Sequence, residues 1–303
     1  MKNAMACRCA SHAGSWYTDQ PGTLHGQLGN WLRNAGDGGA KGPQYGAKAI
    51  IAPHAGYSYS GPTAAWAYGN VDASRYNRIF ILGPSHHYYL PGCALSRCDV
   101  YETPIGALPV DRKVCEELAK TGAFDVMTKT QDEEEHSIEM HLPYVAKLMD
   151  GRQGSFTVVP VLVGSIDIEE EKAYAGILQP YFDDPNTLFI ISSDFCHWGR
   201  RFSFQYHDEQ TFGGDIYKSI EWLDHQGMAL IEQQDAKGFN EYLKRYKNTI
   251  CGRHPIGVLL QLLDGSSACK YSVKFTKYAQ SSQCRTGSDS SVSYASACVN
   301  EAQ

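Results

Sequence analysis

The chain has 303 residues, 43% hydrophobic and 20% charged, which suits a globular protein with a sizeable core, as one large domain or two small ones. No apolar run approaches the roughly 18 residues of a transmembrane helix. A net charge of -6, from 27 Lys plus Arg against 33 Asp plus Glu, argues against nucleic acid as a partner.

The N-terminus, Met1-Lys2-Asn3-Ala4-Met5-Ala6-Cys7, lacks the apolar segment of a signal peptide, and no Asn-x-Ser/Thr sequon occurs in the chain. The 10 cysteines therefore read as reduced thiols of a cytosolic protein, packed mainly as small hydrophobes. Cys7-Arg8-Cys9, with its one-residue spacing, reads as a surface feature. Leu24 to Leu32 is helix-like, and Gly36-Asp37-Gly38-Gly39 reads as a loop. Ala49-Ile50-Ile51-Ala52-Pro53 is a short apolar run ending at a breaker, hence a strand, and it leads into His54-Ala55-Gly56-Tyr57. Arg78 to Pro84 repeats that design and leads into Ser85-His86-His87. Asp111 to Lys120 is helix-like.

The stretch from Asp132 to Pro143 carries an acidic run that suits a helix start. Within it, His136 and Glu139 are three apart and would share a helix face, as residues standing behind the ligands of a site or, equally, as capping and packing residues. His136 and His141 are five apart, so they do not form the zincin pair. Thr157 to Gly164 is a β-branched strand and Ile168 to Leu178 a helix. Leu188 to Asp194 is a further strand, delivering Phe195-Cys196-His197-Trp198. Gly213-Gly214 reads as a loop between elements. Helix-like spans follow at Asp215 to Gln226 and Gly238 to Tyr246. Asn248 to Gly257 reads as a turn into a helix beginning near Pro255, and Ser272 to Tyr278 alternates with period two, as a strand with one wet face does.

No repeat or linker divides this alternation, so residues 1–303 read as a single α/β domain: a parallel or mixed sheet flanked by helices. In such sheets, polar residues just past the carboxyl ends of strands gather at the ligand crevice. Three strands deliver His54, His86 and His197 to equivalent positions. One such histidine is ordinarily a satisfied imidazole; three point to a shared metal or acid–base site. Cys251, near a helix N-terminus and Arg253, reads either as an ordinary buried thiol or as a cysteine favoured as thiolate.

At these residues the chain resembles the MEMO family (mediator of cell motility). The segments that carry the likeness are Ser11-His12-Ala13-Gly14-Ser15-Trp16-Tyr17, Ile51 to Tyr57, Ile81 to His87, Glu135 to Tyr144, Ser192 to Gly199, Cys251 to Gly257, and Tyr278 to Cys284. They run in one order along nearly the whole chain. The resemblance implies a fold like the class III extradiol dioxygenases, with His54, His86 and Cys251 as ligands of an iron or copper ion and His197 beside them. It places Asp194 as the group orienting His197, and Trp16 and Tyr59 at the pocket mouth. It also implies a link to cell migration downstream of receptor tyrosine kinases, to Rho-type GTPases, and to reactive oxygen species made by NADPH oxidase. The expected location is the cytoplasm, with the nucleus left open.

The dioxygenases use a carboxylate where this chain has Cys251. A thiolate is a softer ligand and is itself oxidisable. Three functions follow as expectations. The first is a non-catalytic or weakly redox-active metal-binding signalling protein. The second is an Fe(II) oxygenase, with His197 as acid/base and Asp194 beside it, and with Tyr57, Tyr59 and Trp198 stacking on an aromatic substrate. The third is a phosphotyrosine-peptide-binding module, with His54, His86 and Arg200, Arg201 or Arg253 toward the phosphate.

Overall fold

A computed structural model describes residues 5–35, 46–266 and 270–302. The loop expected at Gly36-Asp37-Gly38-Gly39 lies outside the described residues, as does Cys269. The strands are β1 (Cys7–Arg8), β2 (Ala49–Ala52), β3 (Arg78–Pro84), β4 (Cys93–Leu95), β5 (Val100–Thr103), β6 (Gly106–Pro109), β7 (Phe124–Val126), β8 (Thr157–Val163), β9 (Thr187–Ser192), β10 (His197–Trp198), β11 (Tyr271–Gln280) and β12 (Ser291–Glu301). The helices are α1 (Pro21–Asn34), α2 (Tyr57–Tyr68), α3 (Arg112–Lys120), α4 (Lys129–Glu134), α5 (His136–Glu139), α6 (Leu142–Leu148), α7 (Ile168–Asp183), α8 (Glu209–Phe212), α9 (Ile216–Glu232), α10 (Ala236–Tyr246) and α11 (Arg253–Gly265).

One nine-stranded sheet runs β10-β12-β2-β9-β3-β8-β4-β7, with β11 paired to β12; a small sheet, β1-β5-β6, stands apart. Its centre, β2-β9-β3-β8, is parallel, while β12 joins β2 and β4 joins β8 antiparallel. The expected α/β mixed sheet flanked by helices is therefore what the chain forms. The central strands are continuous apolar runs because both faces are covered: Ile50, Ile51, Ile81, Val159, Leu188 and Ile190 are wholly buried. Helices α7 and α11 pack together against β3 and β9, while α2 packs against β2, β11 and β12 and carries α1.

Helix starts follow local chemistry. Asp111 and Asp167 cap α3 and α7 by accepting hydrogen bonds from first-turn N–H groups, and Asp167 forms a capping box with Glu170. Among the described residues nine cysteines carry free thiols, six of them buried. Arg8, expected at the surface, is instead wholly buried, paired with Asp132 (3.1 Å) and Glu139 (2.7 Å). Among the described residues, no helix is long and apolar enough to cross a membrane.

Candidate metal centre

The ends of β2, β3 and β9 lie side by side because the strands are parallel neighbours. His54 follows β2, His86 follows β3, and Asp194 and His197 follow β9, so one sheet edge receives all four. Cys251 arrives from the turn before α11. Gly252 lets that turn close: a Cβ there would lie 2.3 Å from the Ser192 carbonyl oxygen and 2.4 Å from Ser193 Cβ.

His54 is buried, and its Nδ1 lies 2.6 Å from Ser192 Oγ, which itself donates to the Ser137 carbonyl at 2.7 Å. With its hydrogen committed, Ser192 accepts from His54. The ring therefore carries its proton on Nδ1 and presents the Nε2 lone pair. Cys251 Sγ stands 3.2 Å from that Nε2. His86 is held in the same way. The Glu135 carboxylate accepts its main-chain N–H at 2.7 Å and its Nδ1–H at 2.9 Å, leaving Nε2 free. An acceptor behind each imidazole is the arrangement that orients metal-binding histidines.

His136 stands among these groups rather than behind them. Ring nitrogens of His54, His86 and His136 lie within 4.8 Å of one another. The His136 ring stacks on His86 and on Trp16, both at 4.4 Å between centroids. Cys251 approaches from the His54 side. Among the described residues, the mutually close trios are His54–His86–His136 and His87–Glu135–His136, and neither includes Cys251. Glu139 turns away from His136. It is wholly buried and bound to Arg8, to His12 Nδ1 (2.8 Å) and to the Tyr17 hydroxyl (2.7 Å).

Asp194 accepts the His54 main-chain N–H at 2.9 Å, and its own N–H donates to Cys251 Sγ at 3.1 Å. His197 Nδ1 donates to the carbonyls of Phe195 (2.9 Å) and Thr249 (3.2 Å), so backbone carbonyls, not Asp194, take its proton and leave Nε2 free. Trp16 is 36% and Tyr59 63% exposed, whereas Tyr57 and Trp198 are buried and out of reach of an aromatic substrate. Arg201 lies over the Phe202 ring, and Arg253 donates to the Ile250 carbonyl.

Charge states follow from this packing. Burial, then the neighbouring histidines, hold His54 well below the usual imidazole range, and burial followed by His86 holds His136 at about 3, so both rings are neutral. Burial raises Glu135, but the hydrogen bond and charge of His86 outweigh it and set the carboxyl at about 2. Burial and Asp194 push the Cys251 thiol well up, against the helix terminus and Arg253 that favoured a thiolate in sequence. The turn is too enclosed, and too close to a carboxylate, for those two influences to win.

The residues fit a transition metal. Two imidazole nitrogens and a sulfur suit copper, zinc or iron rather than magnesium or calcium. The 3.2 Å between Sγ and the His54 Nε2 is near the edge of a tetrahedron built from metal–ligand bonds of 2.0–2.1 and 2.3 Å, about 3.5 Å. Cys251 is not within such reach of both histidines, so His86 would have to draw in for the three to share one ion. Sequence reasoning passed over Ser192, Glu135, His87 and His12. The requirement that each ligating histidine have an acceptor on its other nitrogen would have drawn attention to Glu135 and Ser192 within the shared motifs.

The Memo-like protein family profile matches residues 8–298. Protein MEMO1 of Danio rerio is 54% identical over 301 residues, covering 99% of each chain. Protein MEMO1 of Homo sapiens is 52% identical with the same coverage. The memo-1 homolog of Caenorhabditis elegans is 49% identical over 293 residues, 95% of this chain and 81% of its own. With a family match over residues 8–298 and relatives 52–54% identical along nearly the whole chain, the chain belongs to the Memo-like protein family.

Proposed function

We propose that this protein is a metal-binding signalling protein, holding one iron or copper ion through His54, His86 and Cys251 and regulating oxidant production and cell migration rather than running a conventional catalytic cycle. The observation that carries this reading is the pair of preset imidazoles: Ser192 fixes His54 and Glu135 fixes His86, each with Nε2 free, and Cys251 Sγ lies beside the first. A soft thiolate beside two nitrogens favours Cu(I) and restrains its redox cycling, while iron at such a site would meet oxygen. The regulatory side, toward NADPH oxidase, a Rho-type GTPase or receptor tyrosine kinase phosphopeptides in the cytoplasm, rests on family likeness. Exposed Trp16 and Tyr59 give a partner's aromatic side chain a place to stack.

The test is metal content and dissociation constants of the purified, reduced protein beside Cys251→Ser. Tight iron or copper binding that weakens in the variant supports the reading; stoichiometric binding unchanged by Cys251→Ser overturns the ligand set. A second reading, an Fe(II) oxygenase, is favoured by His197, whose fixed Nδ1–H leaves Nε2 to accept a proton from a substrate. Oxygen consumption with Fe(II) and catechols no faster than background would remove it.

A further inference from the structure

We propose that His87, Glu135 and His136 form a second binding position for a borderline transition-metal cation, outside the His54–His86–Cys251 position, so that the pocket accepts two ions per chain. One ligand atom from each of the three lies within 4.8 Å of the others. The inference extends the metal-binding reading above to a separate set of side chains.

The decisive group is His136. Its Nδ1 is buried and has no hydrogen-bond partner. It stands 3.5 Å from Glu135 Oε1 without the alignment of a hydrogen bond. An unpartnered imidazole nitrogen buried this close to a carboxylate is placed to share an ion with it.

Glu135 is equipped for the role. Its side chain is 2% exposed. Oε1 is taken up by His86 Nδ1 and Ser137 N–H, so the oxygen open to an ion is Oε2, which accepts only the His86 main-chain N–H at 2.7 Å and keeps a lone pair. His87 supplies the outer side. It is exposed, its ring is edge-on to His136 at 5.7 Å, and it lines a cavity of about 310 Å³ with His86, Tyr88 and Tyr89. Two imidazoles and a carboxylate suit Zn(II), Cu(II), Co(II) or Fe(II). Glu135 serves both positions, as ligand of the outer ion and as acceptor behind His86, so the two sites communicate through one carboxylate.

The experiment is an anaerobic Co(II) titration of the reduced full chain, followed by its absorption spectrum, for wild type, His87→Ala and Cys251→Ser. His87 is exposed, so its removal leaves the core packing intact. The expected wild-type result is two equivalents, only one of them with a sulfur-to-metal charge-transfer band. His87→Ala should lose the ion without that band, by tenfold or more in affinity, and Cys251→Ser should keep it. A single equivalent indifferent to His87→Ala, one weakened by both substitutions, or two equivalents that His87→Ala leaves unchanged overturns the second position. Failure of the inner ligand set looks different: no sulfur band and no effect of Cys251→Ser, with His87→Ala still removing an ion.

Discussion

Replacing Ser192 with alanine tests the tautomer that prepares His54. Ser192 is wholly buried and makes two hydrogen bonds, from His54 Nδ1 at 2.6 Å and to the Ser137 carbonyl at 2.7 Å. Alanine leaves both partners buried and unmet, at about 1–3 kcal/mol each, while removal of the hydroxyl itself recovers part of that; a net loss of about 2–3 kcal/mol follows. With roughly 2–4 °C of Tm per kcal/mol for a chain approaching this size, the metal-free protein should melt about 5–10 °C lower. The second consequence is chemical. Released from Ser192, His54 is free to move its proton to Nε2, the atom facing Cys251, and to rotate. Loss of such an orienting partner costs about 10–100-fold in metal affinity. Differential scanning calorimetry of the metal-free variant measures the first effect, and competition with a chromogenic chelator for Zn(II) measures the second. A lower Tm with unchanged Zn(II) affinity would refute the tautomer reasoning and leave Ser192 a packing residue only. An unchanged Tm would refute the hydrogen-bond accounting.

Two further predictions follow from buried geometry. Gly252→Ala forces a Cβ against the backbone oxygen of Ser192, which has no flexible end to move; the clash should cost about 1–3 kcal/mol or more and displace Cys251, read as a lower Tm together with weaker metal binding. Acid should unfold the protein through Glu139. Burial raises this carboxyl, but His12 and Arg8 outweigh burial and hold it at about 2 against an ordinary value of 4.5. Its contribution is therefore full above pH 4.5 and is lost as pH falls through 2. Glu139→Gln should be less stable than wild type near neutrality, by about 3–5 kcal/mol for a broken buried pair, with the gap closing toward pH 2 in chemical denaturation series. A gap independent of pH would be contrary to this assignment.

Much of the fold is legible because the central strands obey one rule. Arg78–Pro84 forms as read, Thr157 to Gly164 ends one residue early at Val163, Leu188 to Asp194 becomes Thr187–Ser192, and the helices at Ile168 and Asp215 begin within a residue of the reading. α7 runs on through Pro180 to Asp183, where packing on α11 overrides the breaker. Many short elements and two long ones, β12 and α2, escaped. β12 reads Ser-Val-Ser-Tyr-Ala-Ser-Ala-Cys, yet its serines are buried, with Ser296 donating to the Thr63 carbonyl; polarity there is satisfied, not solvated. α2 contains Gly61 and Pro62 and looks like a loop, but a Cβ at position 61 would strike the Trp31 ring, so glycine is set there by α1.

The site divides in the same way. His54, His86, His197 and Cys251 are visible because strand ends and a turn announce them. The carboxylates between Asp132 and Glu139 look like a solvated helix start because their partners, Arg8, His12 and His86, are distant in sequence. No local pattern shows that Asp132, Glu135 and Glu139 are buried.

The position of β12 bears on when the site comes into being. It lies between β10 and β2, against the strand that presents His54, but begins at Ser291, about 240 residues after β2 ends at Ala52, and is made after every other strand of the sheet. While the polypeptide leaves the ribosome, Ala49–Ala52 is expected to wait with one flank unpaired, an apolar edge of the kind that chaperones shield. The imidazoles and the thiol can meet only after translation has passed Cys251. Loading of a cation is then expected to be a post-translational event, governed by the supply of ions to the finished protein rather than by the pace of its synthesis.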